Sequence, residues 1–340
     1  MPAEWVRHAA TWMGWPHNRS DWPGKAEAVA WAVAEIVLHL TRTERVEMLV
    51  PDADTRRRAR STLAAAGVNL HRVGMHTVAS DRSWTRDALP SFVRQGRRAA
   101  LVDWRFNGWA RYGNHRKDDA LGAWLASRLG LPRHVPTRPG TRRRVVLEGG
   151  AVDSNGEGLL LTSEECLLSR VRARNPGLGR RAMEDLLRTW LGVEKVLWLG
   201  RGIAGDDTHG HIDDLARFVG PSTVVAAVET RRSDINYKPL RDNLVRLRRM
   251  RDLSGRRLEV AALPMPRPLF CRGARLPASY ANFYIANGRV LVPTFNDPHD
   301  REALATLAGL FPRREVVGIH AVDLIWGLGT LHCMTWQQPA

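Results

Sequence analysis

The chain has 340 residues, 44% of them hydrophobic and 25% charged, a globular composition with room for one large α/β domain or two ordinary ones. No apolar run is long enough to span a bilayer, and the opening MPAEWVRHAATW has no signal-type apolar stretch, so a soluble cytoplasmic protein with no membrane partner is expected. The formal charge of +16 invites a nucleic-acid partner, but lysine occurs only at Lys25, Lys117, Lys195 and Lys238, and the arginines are scattered. That skew reads as GC-rich coding, and nucleic acid is not expected as the main partner.

Apolar residues at helical spacing (Ala30, Val33, Ile36, Val37, Leu40) predict a helix from about Lys25 to Arg42. A strand at Val46 to Val50, a helix at Ala53 to Ala66 and strands at Val68 to Val73 and Ala99 to Trp104 follow. Asp118 and its acidic neighbour are expected to cap a helix running to Leu129. Arg144 to Val152 and Gly158 to Thr162 read as a hairpin turning at Asp153 to Gly156, and Phe283 to Ile285 with Val290 to Val292 as another turning at Asn287-Gly288. Helices are predicted at Gly179 to Leu191 and Pro239 to Leu253, and strands at Val196 to Leu199, Thr223 to Val228 and Leu258 to Ala262. A last helix starts after Asp300, its expected N-cap. Helices and strand pairs alternate with no Pro-, Gly- or Ser-rich linker, so one domain over 1–340 is favoured. A structural repeat of about 65 to 70 residues would fit two or three strands and a helix per unit.

Three cysteines, Cys166, Cys271 and Cys333, are too few and too widely spaced for a disulfide framework or a zinc knuckle. Four stretches could carry chemistry. In Gly205 to Asp214, an extended backbone would put Asp207, His209, His211 and Asp213 on one face. That face suits either a metal or a general acid/base beside a cation-gripping carboxylate. Trp84 and Asp87 offer an aromatic surface near a carboxylate, a combination that takes a guanidinium or amine. Glu148 stands beside Gly149 and Gly150, where a backbone or ligand could approach closely. Cys333 follows a run of small residues. Each stretch alone has a bland reading: a solvated edge, a core tryptophan, a strand bulge, a buried thiol. Together they supply what attack on a cationic amidine carbon requires.

The ordered set "EWVRHAATWMGWPHNRSDWPG", "SWTRDALP", "FNGWARYGNHRKDD", "LEGGAVDSNGEGLLLTSEECLL", "RNPGLGR", "GDDTHGHIDDLARFV", "LPASYANFYIANGRVLVPTFNDPHD" and "GLGTLHCMTWQQP" resembles the agmatine deiminase and bacterial-type peptidylarginine deiminase family of the pentein superfamily, over essentially the whole chain. The resemblance implies an α/β propeller of five ββαβ-type units with pseudo-fivefold symmetry. It implies Cys333 as nucleophile and His211 as general acid/base. Asp87 and Asp213 would be carboxylates that clamp the guanidinium, and Glu148 the acid that positions the histidine. Trp84 and Asn282 would be pocket residues, and His209 would stand behind the site. No cofactor or metal is implied; the partner is a small cationic guanidino substrate, with homo-oligomerisation left open. Two stretches depart from the family pattern: Leu89 stands where glycine is usual, and Gly327-Leu328-Gly329-Thr330 stands where three glycines and an asparagine are; both leave the chemical groups intact and bear on which substrate is taken. Agmatine is the expected substrate and peptidylarginine or another guanidino compound the runner-up. The rivals from other classes are a metal-dependent amidohydrolase using His209 and His211, and a basic nucleic-acid-binding protein.

Overall fold

The computed structural model describes every residue except Arg97 and is an α/β structure built from small sheets. The chain packs as two compact units, Met1–Ala3 with Asp87–Ala262, and Glu4–Arg86 with Leu263–Ala340.

The first unit carries three three-stranded sheets. Ser91–Gln95 pairs antiparallel with Arg98–Val102, which pairs parallel with Arg133–His134. Asp153–Ser154 pairs antiparallel with Leu159–Ser163, which pairs parallel with Lys195–Leu199. Ala216–Phe218 pairs antiparallel with Thr223–Val228, and Glu259–Pro264 flanks the latter. In each, a hairpin is followed by a helical connection to the third strand, as parallel pairing demands. The helix Arg180–Leu191 shows why these connections pack. Met183, Leu186, Leu187 and Leu191 fall on one face and are all buried, each worth roughly 1.5–3 kcal/mol on removal from water. They meet Val145, Leu147 and Leu160 in one core cluster. Gly192, at φ 67°, ends the helix in the left-handed conformation that glycine takes without strain.

The second unit carries the same pattern twice. Tyr284–Ala286 and Arg289–Thr294 form a hairpin across Asn287-Gly288, and the helix Asp300–Leu310 leads to the parallel strand Glu315–His320. In the other sheet the last strand, Thr335–Pro339, is the antiparallel partner of the first, His8–Gly14. The helices Ala26–Leu40 and Ala53–Ala65 then connect to the parallel strands Arg45–Val50 and Val73–Thr77. The described residues thus hold five sheets of three or four strands on one ββαβ plan. No helix among them is long and apolar enough to cross a membrane.

Several expectations are corrected. The strand predicted at Val68 to Val73 is a 3-10 turn, Leu70–Arg72, and the strand begins at Val73. Asp118 does not cap its helix but lies within the turn Arg116–Asp119. His299 occupies the N-cap expected of Asp300, whose carboxylate instead accepts the backbone N–H of Phe295 and Asp297, each at 3.0 Å. Arg144 to Val152 is not a regular strand. It makes isolated bridges at Arg144 and Val146 and closes in a 3-10 turn at Gly149–Ala151. The first hairpin turns at Asn155 to Gly158, where the Asn155 side chain accepts the N–H of Glu157 and Leu159.

Candidate functional site

In the first unit, three of the predicted residues, Asp87, His211 and Asp213, converge on Gly150, and Glu148 stands on the far side of His211. Glu148 is placed from behind. Val146 has no continuous ladder; Asn175 supplies its pairing, accepting from Val146 N at 3.0 Å and donating to Val146 O at 2.7 Å. The 3-10 turn at Gly149–Ala151 then presents Gly150 N to Asp87 Oδ1 at 2.9 Å. Trp109 Nε1 donates to Asp87 Oδ2 at 2.8 Å, so both carboxylate oxygens are fixed. A Cβ on Gly150 would lie 2.6 Å from His211 Nδ1, 2.9 Å from Asp87 Oδ1 and 3.0 Å from Asp213 Oδ2. Only glycine leaves these three side chains where they are.

The loop carrying His211 folds around Asp206, not into a strand. Asp206 Oδ1 accepts from Thr208 N at 2.7 Å, and Oδ2 accepts from Gly210 N at 2.7 Å and His211 N at 3.2 Å. His209 takes φ 68°, and Ile212–Asp214 is a 3-10 turn. The one-face arrangement expected of Asp207, His209, His211 and Asp213 therefore does not form. Asp207 accepts from Tyr112 Oη at 2.6 Å, and His209 Nε2 turns to Ser169 Oγ at 3.2 Å. This corrects the pairing of His209 with His211 as metal ligands. Among the described residues the group of possible donors is instead Glu148, Cys166 and His211, whose ligand atoms lie within 4.8 Å of one another. Glu148 Oε1 is already paired with Arg174 Nε at 2.9 Å, so a metal there would compete with a guanidinium.

His211 lies between two carboxylates, with Nδ1 3.9 Å from Asp87 Oδ2 and Nε2 3.9 Å from Glu148 Oε2. All of these groups are buried: Glu148 and Asp213 are 0% exposed and His211 1%. Burial alone would lower the pKa of His211, but Asp87, Cys166 and Glu148 outweigh it and raise it well above the ordinary value. At such separations each opposite charge is worth on the order of 4 kcal/mol in a partly screened interior, enough to keep the proton on the ring. Burial raises the Asp87 pKa, opposed by His211 and reinforced by Asp213 and Glu148. Burial also works against the Glu148 charge, but Arg174 and His211 hold its pKa down at about 2. The two histidines are tuned apart: burial, opposed by Glu165 and reinforced by Arg172 and Arg174, lowers the pKa of His209.

In the second unit, Cys333 is held by Asn282. The Asn282 Oδ1 accepts from Thr330 Oγ1 at 2.7 Å, His332 N at 3.1 Å and Cys333 N at 3.4 Å. With its oxygen so committed, the amide turns its NH2 toward the thiol, and Nδ2 stands 3.2 Å from Cys333 Sγ. The thiol in turn lies 3.5 Å from Asn282 Oδ1, so the one amide meets Sγ with both its donor and its acceptor. Trp84 packs tilted against Trp22, centroids 5.2 Å apart, and its Nε1 donates to Asp21 Oδ2 at 3.2 Å. The small residues before Cys333 make room for these rings. A Cβ on Gly327 would meet Trp22 at 2.6 Å, and one on Gly329 would meet Trp84 at 2.9 Å and Cys333 Sγ at 3.1 Å. Between them Leu328 takes φ 67°, a left-handed conformation that suits glycine better.

Three contributors escaped the sequence reading. Trp109, Arg174 and Cys166 all lie within the quoted motifs, but no spacing rule points a tryptophan at Asp87, an arginine at Glu148 or a second thiol at His211.

The family model described as Porphyromonas-type peptidyl-arginine deiminase matches residues 1–339. The agmatine deiminase of Ectopseudomonas mendocina (strain ymp) is 34% identical over all of this chain and 95% of its own length. That of Medicago truncatula is 34% identical, again over the whole chain, and covers 96% of its own. The solved agmatine deiminase of Enterococcus faecalis superposes with a TM-score of 0.90 at 30% identity, covering 100% of this chain and 95% of that one. The α/β fold and the motifs therefore place the chain in the Porphyromonas-type peptidyl-arginine deiminase family.

Proposed function

We propose that the protein hydrolyses the C–N bond of a guanidino compound, converting agmatine and water to N-carbamoylputrescine and ammonia. The observation that carries this reading is the cluster of buried carboxyl groups in the first unit. Asp87, Glu148 and Asp213 are three buried carboxyl groups: Asp87 and Asp213 meet His211 at Gly150, and Glu148 pairs with Arg174. Carboxyl groups gathered in this way are the natural partners of a guanidinium, whose planar set of N–H donors matches them. The relatives named above are agmatine deiminases, which supports agmatine as that cation.

In the proposed reaction Cys333 Sγ, as thiolate, attacks the guanidinium carbon and the new C–S bond pushes a C=N pair onto nitrogen. Asp87 and Asp213 hold the remaining N–H groups. His211 gives its proton to the departing nitrogen, ammonia leaves with the C–N pair, and a thiouronium-like adduct remains on Cys333. His211 then takes a proton from water, which attacks the same carbon; the C–S bond breaks to return the thiolate, and the ureido product leaves as its hydroxyl proton passes to solvent. Glu148 keeps the imidazole charged for the first half of this cycle. An ordinary thiol, with a pKa of about 8.5, is mostly protonated at neutral pH. In the proposed reaction the bound cation is what favours the thiolate.

A second reading, deimination of arginine within a peptide, is favoured by the wording of the family description. Purified protein offered agmatine, free arginine and a blocked arginyl peptide separates the two by ureido-product formation. Consumption of the peptide and not of agmatine would overturn the first reading and keep the chemistry.

A further inference from the structure

We propose that Arg86, anchored by Glu4, is a positioning residue for the Cys333 nucleophile, an inference that rests on Cys333 carrying the chemistry. Three successive carbonyls around the thiol are each bonded by the short segment Thr85-Arg86, far away in sequence. Arg86 Nε donates to His332 O at 3.1 Å, Arg86 N to Cys333 O at 3.2 Å and Thr85 Oγ1 to Met334 O at 2.7 Å. On the opposite side, Asn282 Oδ1 holds the N–H groups of His332 and Cys333. The peptide units flanking the nucleophile are therefore gripped by their donors from one side and their acceptors from the other.

The guanidinium is itself fixed. Its Nη1 donates to Gln337 Oε1 at 3.0 Å, its Nη2 to Glu4 Oε2 at 3.1 Å, and its carbon lies 4.5 Å from the centre of the Trp336 ring. Glu4 completes the frame. Its Oε1 accepts from Ile285 N at 2.8 Å, and its Oε2 meets His332 Nε2 at 2.8 Å. One carboxylate thus ties the arginine to the side chain of the residue just before Cys333. Arg86, Glu4 and His332 are all buried.

A frame of this kind is a poor way to gain stability alone, because a buried ion pair is often no better than an apolar core of equal volume. Its distinctive product is geometry. The guanidinium makes three directional bonds, to His332 O, Gln337 Oε1 and Glu4 Oε2, that a lysine ammonium has neither the reach nor the planar fork to reproduce. What they fix is the placement of a thiol that must approach its target to within about 3–3.5 Å, where an error of about 1 Å costs on the order of 100-fold in rate.

The test uses the full chain with Arg86→Lys and Glu4→Gln. Each is measured for kcat and KM with agmatine, for the thermal midpoint, and for the rate at which iodoacetamide alkylates Cys333 across pH, read by mass spectrometry. Arg86→Lys is expected to lower kcat by about 100-fold with KM within about threefold, and to shift the alkylation profile. Glu4→Gln, which keeps the shape and removes the charge, is expected to lose about tenfold in kcat and still fold. Should Arg86→Lys not fold, Glu4→Gln alone decides. A folded variant with a lower thermal midpoint but unchanged kcat and an unchanged alkylation profile would overturn the proposal and make the frame merely structural. If the unmodified protein alkylates at Cys333 yet leaves agmatine untouched, the substrate reading fails separately, and the alkylation profiles decide the positioning role.

Discussion

Replacing Gly150 by alanine adds one carbon atom where three functional side chains meet. The new Cβ would stand 2.6 Å from His211 Nδ1, against the 3.4 Å at which ordinary contact begins. The imidazole must retreat by about 0.8 Å, and Asp87 and Asp213 by smaller amounts. Gly150 is not in the left-handed region, so alanine meets no backbone penalty there and the effect is steric alone. Overpacking of this size costs about 1–3 kcal/mol in stability. A displacement approaching 1 Å at His211, the proposed general acid/base, costs on the order of 100-fold in kcat. Urea unfolding and steady-state ureido-product formation read the two effects separately. Gly309→Ala is the matched control. It sits inside the helix Asp300–Leu310 with nothing within 4 Å of its would-be Cβ, so it should gain roughly 0.5–1 kcal/mol and leave kcat alone. A Gly150→Ala protein with kcat within about twofold of the unmodified enzyme would refute the convergence of His211, Asp87 and Asp213 as the seat of the chemistry.

Glu148→Gln removes the partner of a buried arginine and should cost about 3–5 kcal/mol by urea unfolding, together with most of the activity. The same carboxylate sets an acid limit. Its folded pKa of about 2 lies below the reference 4.5, so its stabilisation is fully present above pH 4.5 and is lost as pH falls toward 2. The amount is about 3 kcal/mol, and the pH dependence of unfolding free energy in that window should be shallower in Glu148→Gln than in the unmodified chain. Trp109→Phe keeps the aromatic packing on Phe106 but deletes the donor to Asp87 Oδ2. Losing a hydrogen bond to a charged group costs about 1.5–3 kcal/mol, so kcat/KM should fall by about tenfold or more with the fold intact by circular dichroism.

The repeating ββαβ plan was legible where local signals decide. The Asn287-Gly288 turn fixes its hairpin because the pair bends the chain within two residues. Thr223–Val228 matches its predicted bounds because a short apolar run rich in β-branched residues and buried in a sheet has few alternatives. What stayed hidden depends on side chains distant in sequence. Arg144 to Val152 reads as a strand, but Asn175 replaces the ladder at Val146 and lets the chain turn at Gly149–Ala151. The alternation of Asp207, His209, His211 and Asp213 assumed an extended backbone, and one carboxylate, Asp206, folds the loop on itself instead. The candidate residues themselves came from the motifs and the family resemblance. The partners that hold them, Trp109 on Asp87 and Arg174 on Glu148, came from three-dimensional proximity.

The most direct measurement is ureido-product formation from agmatine by the purified protein beside its Cys333→Ala variant, with the fold of both checked by circular dichroism. The account predicts turnover by the first and none by the second. Turnover that survives in a folded Cys333→Ala protein would contradict the thiol chemistry on which the account rests.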